Sequence, residues 1–229
     1  MLGAERLLEI QSSHIDGCLY HGDSGALYCE KLAEAGARVK VPATTNVGAL
    51  NLLNPDQCRL PPDQRKMAYR LMVAHEKMGC APSWTCAPYQ AGARPSLGQQ
   101  VAWGESNAVA FTNTVLGART NRYGDFLDIA CAISARAPYY GLHRPENRHA
   151  KLLLDVSDLP NRLLAQSAFY PVLGSIIGRL GGETVCAVTG MPEGATDDEI
   201  KALCAGAAST GAVALTHIVG VTPEAPDLD

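Results

Sequence analysis

The chain predicts an α/β fold, a mostly parallel sheet with flanking helices. Three observations carry that expectation: short apolar runs alternate with segments of helical period, start and stop signals bracket those segments, and strand-helix-strand units recur along the chain. A parallel pair needs a crossover long enough to hold a helix, and the intervals here provide it.

Taken in order, Leu7 to Ile10 reads as a strand. Ser24 can cap a helix through Leu27, Leu32 and Ala35, with Gly36 ending it in a left-handed turn. Arg38 to Val41 is the next expected strand. After the turn-rich Asn54-Pro55-Asp56, a helix starts near Pro62, and Met67, Leu71, Ala74 and Met78 form its buried stripe before Gly79 stops it. Ser83 to Cys86 reads as a short strand, and residues 105 to 116 and 125 to 135 as two helices, the first apolar all round and therefore buried. From Ala165 a helical segment leads to Gly181-Gly182 and the strand Thr184 to Val188. Thr196 and Glu199 form a capping box for a helix carrying Ile200, Leu203, Cys204 and Ala207, which ends at Gly211 and feeds the strand Ala212 to Val219. Residues 1–229 read as one lobe with no internal boundary, and both ends read as cut, so that an interior portion of a longer protein is expected.

Composition narrows the function classes. At 229 residues, 47% of them hydrophobic, the chain can bury one substantial core. Net charge −4 and a pI near 5.9, with no run of Lys or Arg, offer nothing to a phosphate backbone, so no nucleic-acid partner is expected. No stretch reaches the roughly 20 apolar residues of a membrane span, and no signal peptide is evident. The expected location is the cytoplasm, where the 8 cysteines stay reduced. Cys18, Cys29, Cys131, Cys186 and Cys204 read as packing.

Polar residues in loops carry the candidate chemistry. Cys86 is expected at a strand end, but five residues separate it from Cys80, which is no standard metal spacing, and on spacing alone a packed thiol is the favoured reading. Ser106 and Asn107 follow Glu105 at a helix start, whose free N–H groups suit a carboxylate as well as an ordinary cap. Arg119 and Arg122 flank Thr120 and Asn121 in a Gly-bounded loop, and a guanidinium can grip a carboxylate with two parallel hydrogen bonds. His14 and Asp16 are expected just beyond the first strand, with Thr44, Thr45 and Asn46 after the next, where open α/β sheets bind ligands; turn formation is the competing reading. His143, Asn147 and Arg148 offer either a further polar edge or a solvated loop. His75 and His149 read as surface residues, and His217 as a satisfied core histidine.

Several of these segments recur together. Trp84-Thr85-Cys86-Ala87-Pro88-Tyr89, Val101-Ala102-Trp103-Gly104-Glu105-Ser106-Asn107-Ala108-Val109 and Leu116-Gly117-Ala118-Arg119-Thr120-Asn121-Arg122-Tyr123-Gly124-Asp125 stand in that order. With His14-Ile15-Asp16-Gly17-Cys18-Leu19-Tyr20, Gly141-Leu142-His143 and Glu146-Asn147-Arg148, they resemble the large-subunit region of aconitase X, a branch of the aconitase superfamily of iron-dependent dehydratases. Val41-Pro42-Ala43-Thr44-Thr45-Asn46-Val47 stands where the family usually reads Val-Pro-Thr-Thr-Leu-Asn-Val, a close match shifted in composition.

The resemblance implies a hydro-lyase that dehydrates a small hydroxy acid with iron, mononuclear or in an iron-sulfur cluster, as cofactor. It makes Cys86 a metal ligand, with the other cysteine ligands on later segments, and makes Ser106, Asn107, Arg119, Asn121, Arg122, His14, Thr45 and Asn46 substrate binders. It places the catalytic base on a small swivelling domain or subunit, expected as a partner. Of the two branches, one acting on cis-3-hydroxy-L-proline to give Δ1-pyrroline-2-carboxylate and one on mevalonate 5-phosphate, the segments 84–90 and 119–128 look more like the first. The competing readings are a non-catalytic scaffold that needs a partner chain, and a different α/β enzyme in which Trp84 to Asn107 is only core.

Overall fold

A computed structural model describes residues 3–192 and 194–228. β1 (Leu7–Glu9) pairs antiparallel with β5 (Arg136–Pro138), and the remaining strands form two parallel sheets. In the first, β2 (Ser13–Ile15) lies between β3 (Ala43–Thr45) and β4 (Ala102–Trp103), with His14 opposite Thr44 on one side and Trp103 on the other. Single bridges extend it at Thr44 to Ala81 and at Gln100 to Arg119. In the second, β7 (Cys186–Thr189) lies between β6 (Leu152–Asp155) and β8 (Thr216–Ile218).

Crossover helices cover these sheets. α1 (Asp23–Glu34) connects β2 to β3 and packs on α2 (Pro62–Lys77), where Leu71, Ala74 and Met78 are buried as their spacing predicts. α3 (Ser106–Thr114) is buried along nearly its whole length, and α4 (Leu127–Ser134) lies against β2. The short α5 (Asn161–Leu164) leads to α6 (Phe169–Gly181), which packs on α7 (Asp197–Thr210). The Thr196–Glu199 capping box opens α7 as the sequence predicts. α6 and α7 meet at backbone distance: a Cβ on Gly174 would lie 2.1 Å from the Leu203 carbonyl oxygen, and one on Gly206 2.5 Å from that of Pro171. Among the described residues no helix is long and apolar enough to cross a membrane.

Several local expectations are corrected. Arg38 to Val41 forms no strand; Val39 and Lys40 donate instead to the Met78 and Ala132 carbonyls, and the strand begins at Ala43, beyond Pro42, which has no N–H to donate. Ser83 to Cys86 is irregular, because Trp84 takes φ 44° and breaks the extended run. Ser24 caps nothing: α1 starts at Asp23 after Gly22, and it buries Ala26 and Cys29 while Leu27 stays exposed. Polar Ser-His-Ile gave no strand signal, yet β2 is fully buried, its Ser13 hydroxyl donating to the Ala102 carbonyl at 2.6 Å. β6 also went unpredicted.

Three further residues are more buried than expected. His75 is fully buried, with Nδ1 2.9 Å from the Leu71 carbonyl and Nε2 3.6 Å from Cys29 Sγ. His143 and Arg148 are no solvated loop. His143 is held by Tyr123 and Gln100, and Arg148 donates to Asn113, to the Leu142 and Ala118 carbonyls, and to Glu224.

Candidate functional site

In a parallel sheet the carboxyl ends of the strands point the same way, so the segments that follow them gather along one edge. Beyond β2 come Asp16 and Gly17, beyond β3 comes Asn46, and beyond β4 come Gly104 and Glu105, which lead into α3. Asn46 Nδ2 donates to Asp16 Oδ1 at 2.5 Å, which leaves Asn46 Oδ1 buried without a partner. Underneath lies Asp128, in the first turn of α4 and fully buried; one of its oxygens accepts from the amides of Asp16 at 2.7 Å and Gly17 at 3.0 Å, and the other from Ile129 at 2.6 Å. Gly104 lets the loops close over it, since a Cβ there would lie 3.0 Å from both Asp128 Oδ2 and Asp16 Cβ.

The edge is acidic, with Asp16 and Glu105 half-buried. Burial raises the Asp16 carboxyl above its ordinary range, Asp125 adds to this, and the hydrogen bond from Asn46 opposes it. Burial, and then the charge of Asp16, pushes Glu105 up to about 7, while the Ala108 and Asn107 amides at the start of α3 pull the other way without closing a capping hydrogen bond. Burial likewise pushes Asp128 up to about 7 against the three amides it accepts from. A carboxyl poised near neutrality can both give and take a proton, and the free N–H groups of a helix start suit a carboxylate. Glu105, Ser106 and Asn107 line a cleft of about 590 Å³ closed on its far side by Pro171 and Ser175 of α6 and Gly206 and Ser209 of α7. Glu105 Oε2 and Asn107 Oδ1 are buried there without partners.

Cys86 stands exposed on a loop held at both ends. Upstream, the Thr45 hydroxyl donates to the Ala81 carbonyl at 3.0 Å and accepts from the Ser83 amide at 3.1 Å, while the Thr85 amide donates to the Thr45 carbonyl. Downstream, the buried Tyr89 ring stacks on Phe111 of α3 at 3.7 Å between centroids. The Tyr89 phenol is raised chiefly by burial, and it lies in the field of both Cys86 and Glu105.

The structure therefore brings Asn46, Ser106, Asn107 and the Cys86 loop to one edge and leaves the other expected residues elsewhere. His14 lies within β2 rather than beyond a strand end. It is fully buried, its Nδ1 2.8 Å from Thr44 Oγ1, and burial lowers it to about 3, which keeps the imidazole neutral. Thr45 is also in its strand, and its hydroxyl serves the Cys86 loop. Arg119 bridges Gln100, upstream of β4, and lines a separate cleft of about 440 Å³ with Arg148, His149, His217 and Glu224. Asn121 binds the Tyr140 carbonyl and the Leu142 amide, and exposed Arg122 donates to the Gly211 carbonyl. Sequence reasoning did not single out Asp128 or Glu105 as site residues. Acidic residues at or just before a helix start are common, and only their proximity to Asp16 in the fold sets these two apart.

Among the described residues no group of three or more His, Cys, Asp or Glu side chains is placed to hold a metal ion. Cys86 contributes one soft donor, so these residues do not complete an iron site by themselves.

Comparison with known proteins adds the following. The aconitase X first domain matches residues 1–146, and the aconitase X second domain matches residues 150–229. A cis-3-hydroxy-L-proline dehydratase of Pseudomonas aeruginosa is 44% identical over 232 residues, covering 99% of this chain and 39% of that protein. A phosphomevalonate dehydratase large subunit of Methanothermobacter thermautotrophicus is 41% identical, covering 97% of this chain and 55% of that one. The crystal structure of Thermococcus kodakaraensis aconitase X in its holo form superposes with a TM-score of 0.86 at 34% identity, over 99% of this chain and 55% of that chain. The chain thus spans roughly two fifths to just over half the length of the proteins it matches.

Proposed function

This chain belongs to the aconitase X family, and from that premise we propose that it forms part of a hydro-lyase that dehydrates cis-3-hydroxy-L-proline to Δ1-pyrroline-2-carboxylate. The sequence relation to the Pseudomonas dehydratase supports the substrate. The observation that carries the placement of the site is the set of unpartnered polar atoms on Asn46, Glu105 and Asn107, next to the amino end of α3. In this reading the N–H groups of α3 receive the substrate carboxylate. Glu105 holds the proton that the departing hydroxyl needs, and Asn46 Oδ1 accepts from a donor group of the substrate.

Iron supplies Lewis-acid polarisation of the hydroxyl when bound. Cys86 would be one ligand of that centre, mononuclear or clustered, with the others on segments outside these residues. A small swivelling domain or subunit brings the catalytic base. Residues 1–229 act as one lobe, because Arg148 joins Asn113 and Glu224 across the boundary between the two family domains. Arg119 contributes to substrate binding only through the cleft that it lines with Arg148, and Asn121 and Arg122 only through another cleft that they line with Tyr140 and Lys151, while His14 and Thr45 support the loops. The soluble setting is the cytoplasm. A second reading, dehydration of mevalonate 5-phosphate, draws on the similarity to the archaeal large subunit.

The test uses the complete protein with its small domain, reconstituted anaerobically. Iron and acid-labile sulfide are measured on it and on Cys86→Ala, and each of the two substrates is then offered. Turnover of cis-3-hydroxy-L-proline with iron lost in Cys86→Ala is expected. Turnover of mevalonate 5-phosphate alone selects the second reading. Neither substrate turned over, with iron content independent of Cys86, leaves a scaffold or another α/β enzyme.

A further inference from the structure

Asp128 lies beneath this edge. It is fully buried, and the partners of its oxygens are backbone amides, two of them in the Asp16–Gly17 turn that comes from a strand 112 residues earlier. Burying a carboxylate is costly, and no side-chain cation contributes to its setting. A hydrophobic residue in its place would leave those amides unpaired, so the carboxylate acts here as the acceptor that holds the turn. What it holds is Asp16, which in turn orients the amide of Asn46 and sets the field at Glu105. Gly104, just beyond β4, packs on the same contact, where an added methyl group would crowd Asp128 and Asp16 at 3.0 Å.

We propose that Asp128 is a positioning residue: it fixes the Asp16–Gly17 turn, against which Gly104 packs closely, so that Asp16 holds the Asn46 amide and sets its charge beside Glu105. Asp128 touches no substrate and acts through Asp16. The inference rests on the dehydratase reading for its catalytic consequence, and on geometry alone for the anchoring.

Asp128→Ala and Gly104→Ala, made in the complete protein, test it with two readouts. The first is amide hydrogen exchange at Asp16 and Gly17, which Asp128→Ala should accelerate by at least about tenfold, the equivalent of one lost hydrogen bond, while exchange in α6 and α7 stays as in the wild type. The second is the kinetic split: kcat should fall by roughly 100-fold, the scale of an ångström of misplacement, with KM little changed. Gly104→Ala should lower kcat in the same direction by crowding the contact from the opposite side, and it serves alone if Asp128→Ala does not fold. Wild-type exchange at Gly17 in folded Asp128→Ala, or wild-type kcat in Gly104→Ala, overturns the proposal. Accelerated exchange in a protein whose wild type dehydrates nothing supports the anchor and removes the dehydratase reading instead.

Discussion

Asn46 gives its amide hydrogen to Asp16 at 2.5 Å and keeps its own oxygen, buried, without a partner. The two residues follow adjacent parallel strands, and the bond between them joins the first two loops of the site. Removing one partner of a buried hydrogen bond strands the other, so Asn46→Ala should lower stability by about 1–3 kcal/mol. Asn46→Asp should cost more, because it sets two carboxylates against each other. Urea midpoints check the order; an Asn46→Asp protein as stable as wild type would contradict the contact.

Glu105 makes stability depend on pH in a stated direction. Its carboxyl titrates higher in the folded chain, at about 7, than its ordinary 4.5. The folded state therefore binds the extra proton, and the stabilisation is fully present below about 4.5 and is lost as pH rises through about 7. Glu105→Gln removes this, flattening the dependence between those limits by on the order of 1–2 kcal/mol after allowance for partial exposure. Asp128, raised in the same sense, leaves a residual slope. Thermal melts of both proteins across that window measure the difference, and parallel curves would count against a raised Glu105.

Gly174 has no space for a side chain. A methyl group there would lie 2.1 Å from the Leu203 carbonyl oxygen, so Gly174→Ala must push α6 away from α7. The expected cost is about 3 kcal/mol, the upper range for overpacking, even though alanine is the better helix former. The cleft beside Glu105 is built on this helix pair, so ligand binding should weaken as well. A melting temperature equal to or above wild type would show that the helices already have room.

Arg148 is buried, with acceptors on Asn113, Leu142, Ala118 and Glu224. Arg148→Ala leaves a partly buried Glu224 and several carbonyls unpaired, at a cost of about 3–5 kcal/mol. Arg148→Lys should rescue little, since an ammonium cannot reproduce a guanidinium that donates in several directions from one plane. Denaturant unfolding of the three proteins decides it, and full rescue by lysine would mean that charge alone matters.

The helices and turns that the sequence made legible are those whose causes lie within a few residues. The stripe of Leu71, Ala74 and Met78 and the Thr196–Glu199 box both depend on neighbours three or four positions away, and both are found where the spacing puts them. The motifs around Cys86 and Glu105 to Asn107 were legible for another reason, since their order of residue types is specific enough to identify the family without any fold. β2, Arg38 to Val41 and Ser83 to Cys86 were misread for physical causes. A strand buried on both faces can carry Ser and His when its neighbours engage them, here through the Ser13 hydroxyl and His14 Nδ1, and an extended-looking run leaves the sheet where a proline without an N–H or a residue at positive φ, here Pro42 and Trp84, interrupts it.

By itself, then, the sequence determined the fold class, the family and the chemistry that its loops offer. Tertiary structure alone decided which of those residues share a site. It drew Asp16, Asn46, Gly104 and Asp128 together and set Arg119, Asn121 and Arg122 apart. It also buried Asp128 beneath a turn 112 residues away in the chain. Local patterning carries no information on such pairings, because strand order and register come from non-local burial of the sheet. The acidity of a carboxyl depends on what folding packs around it.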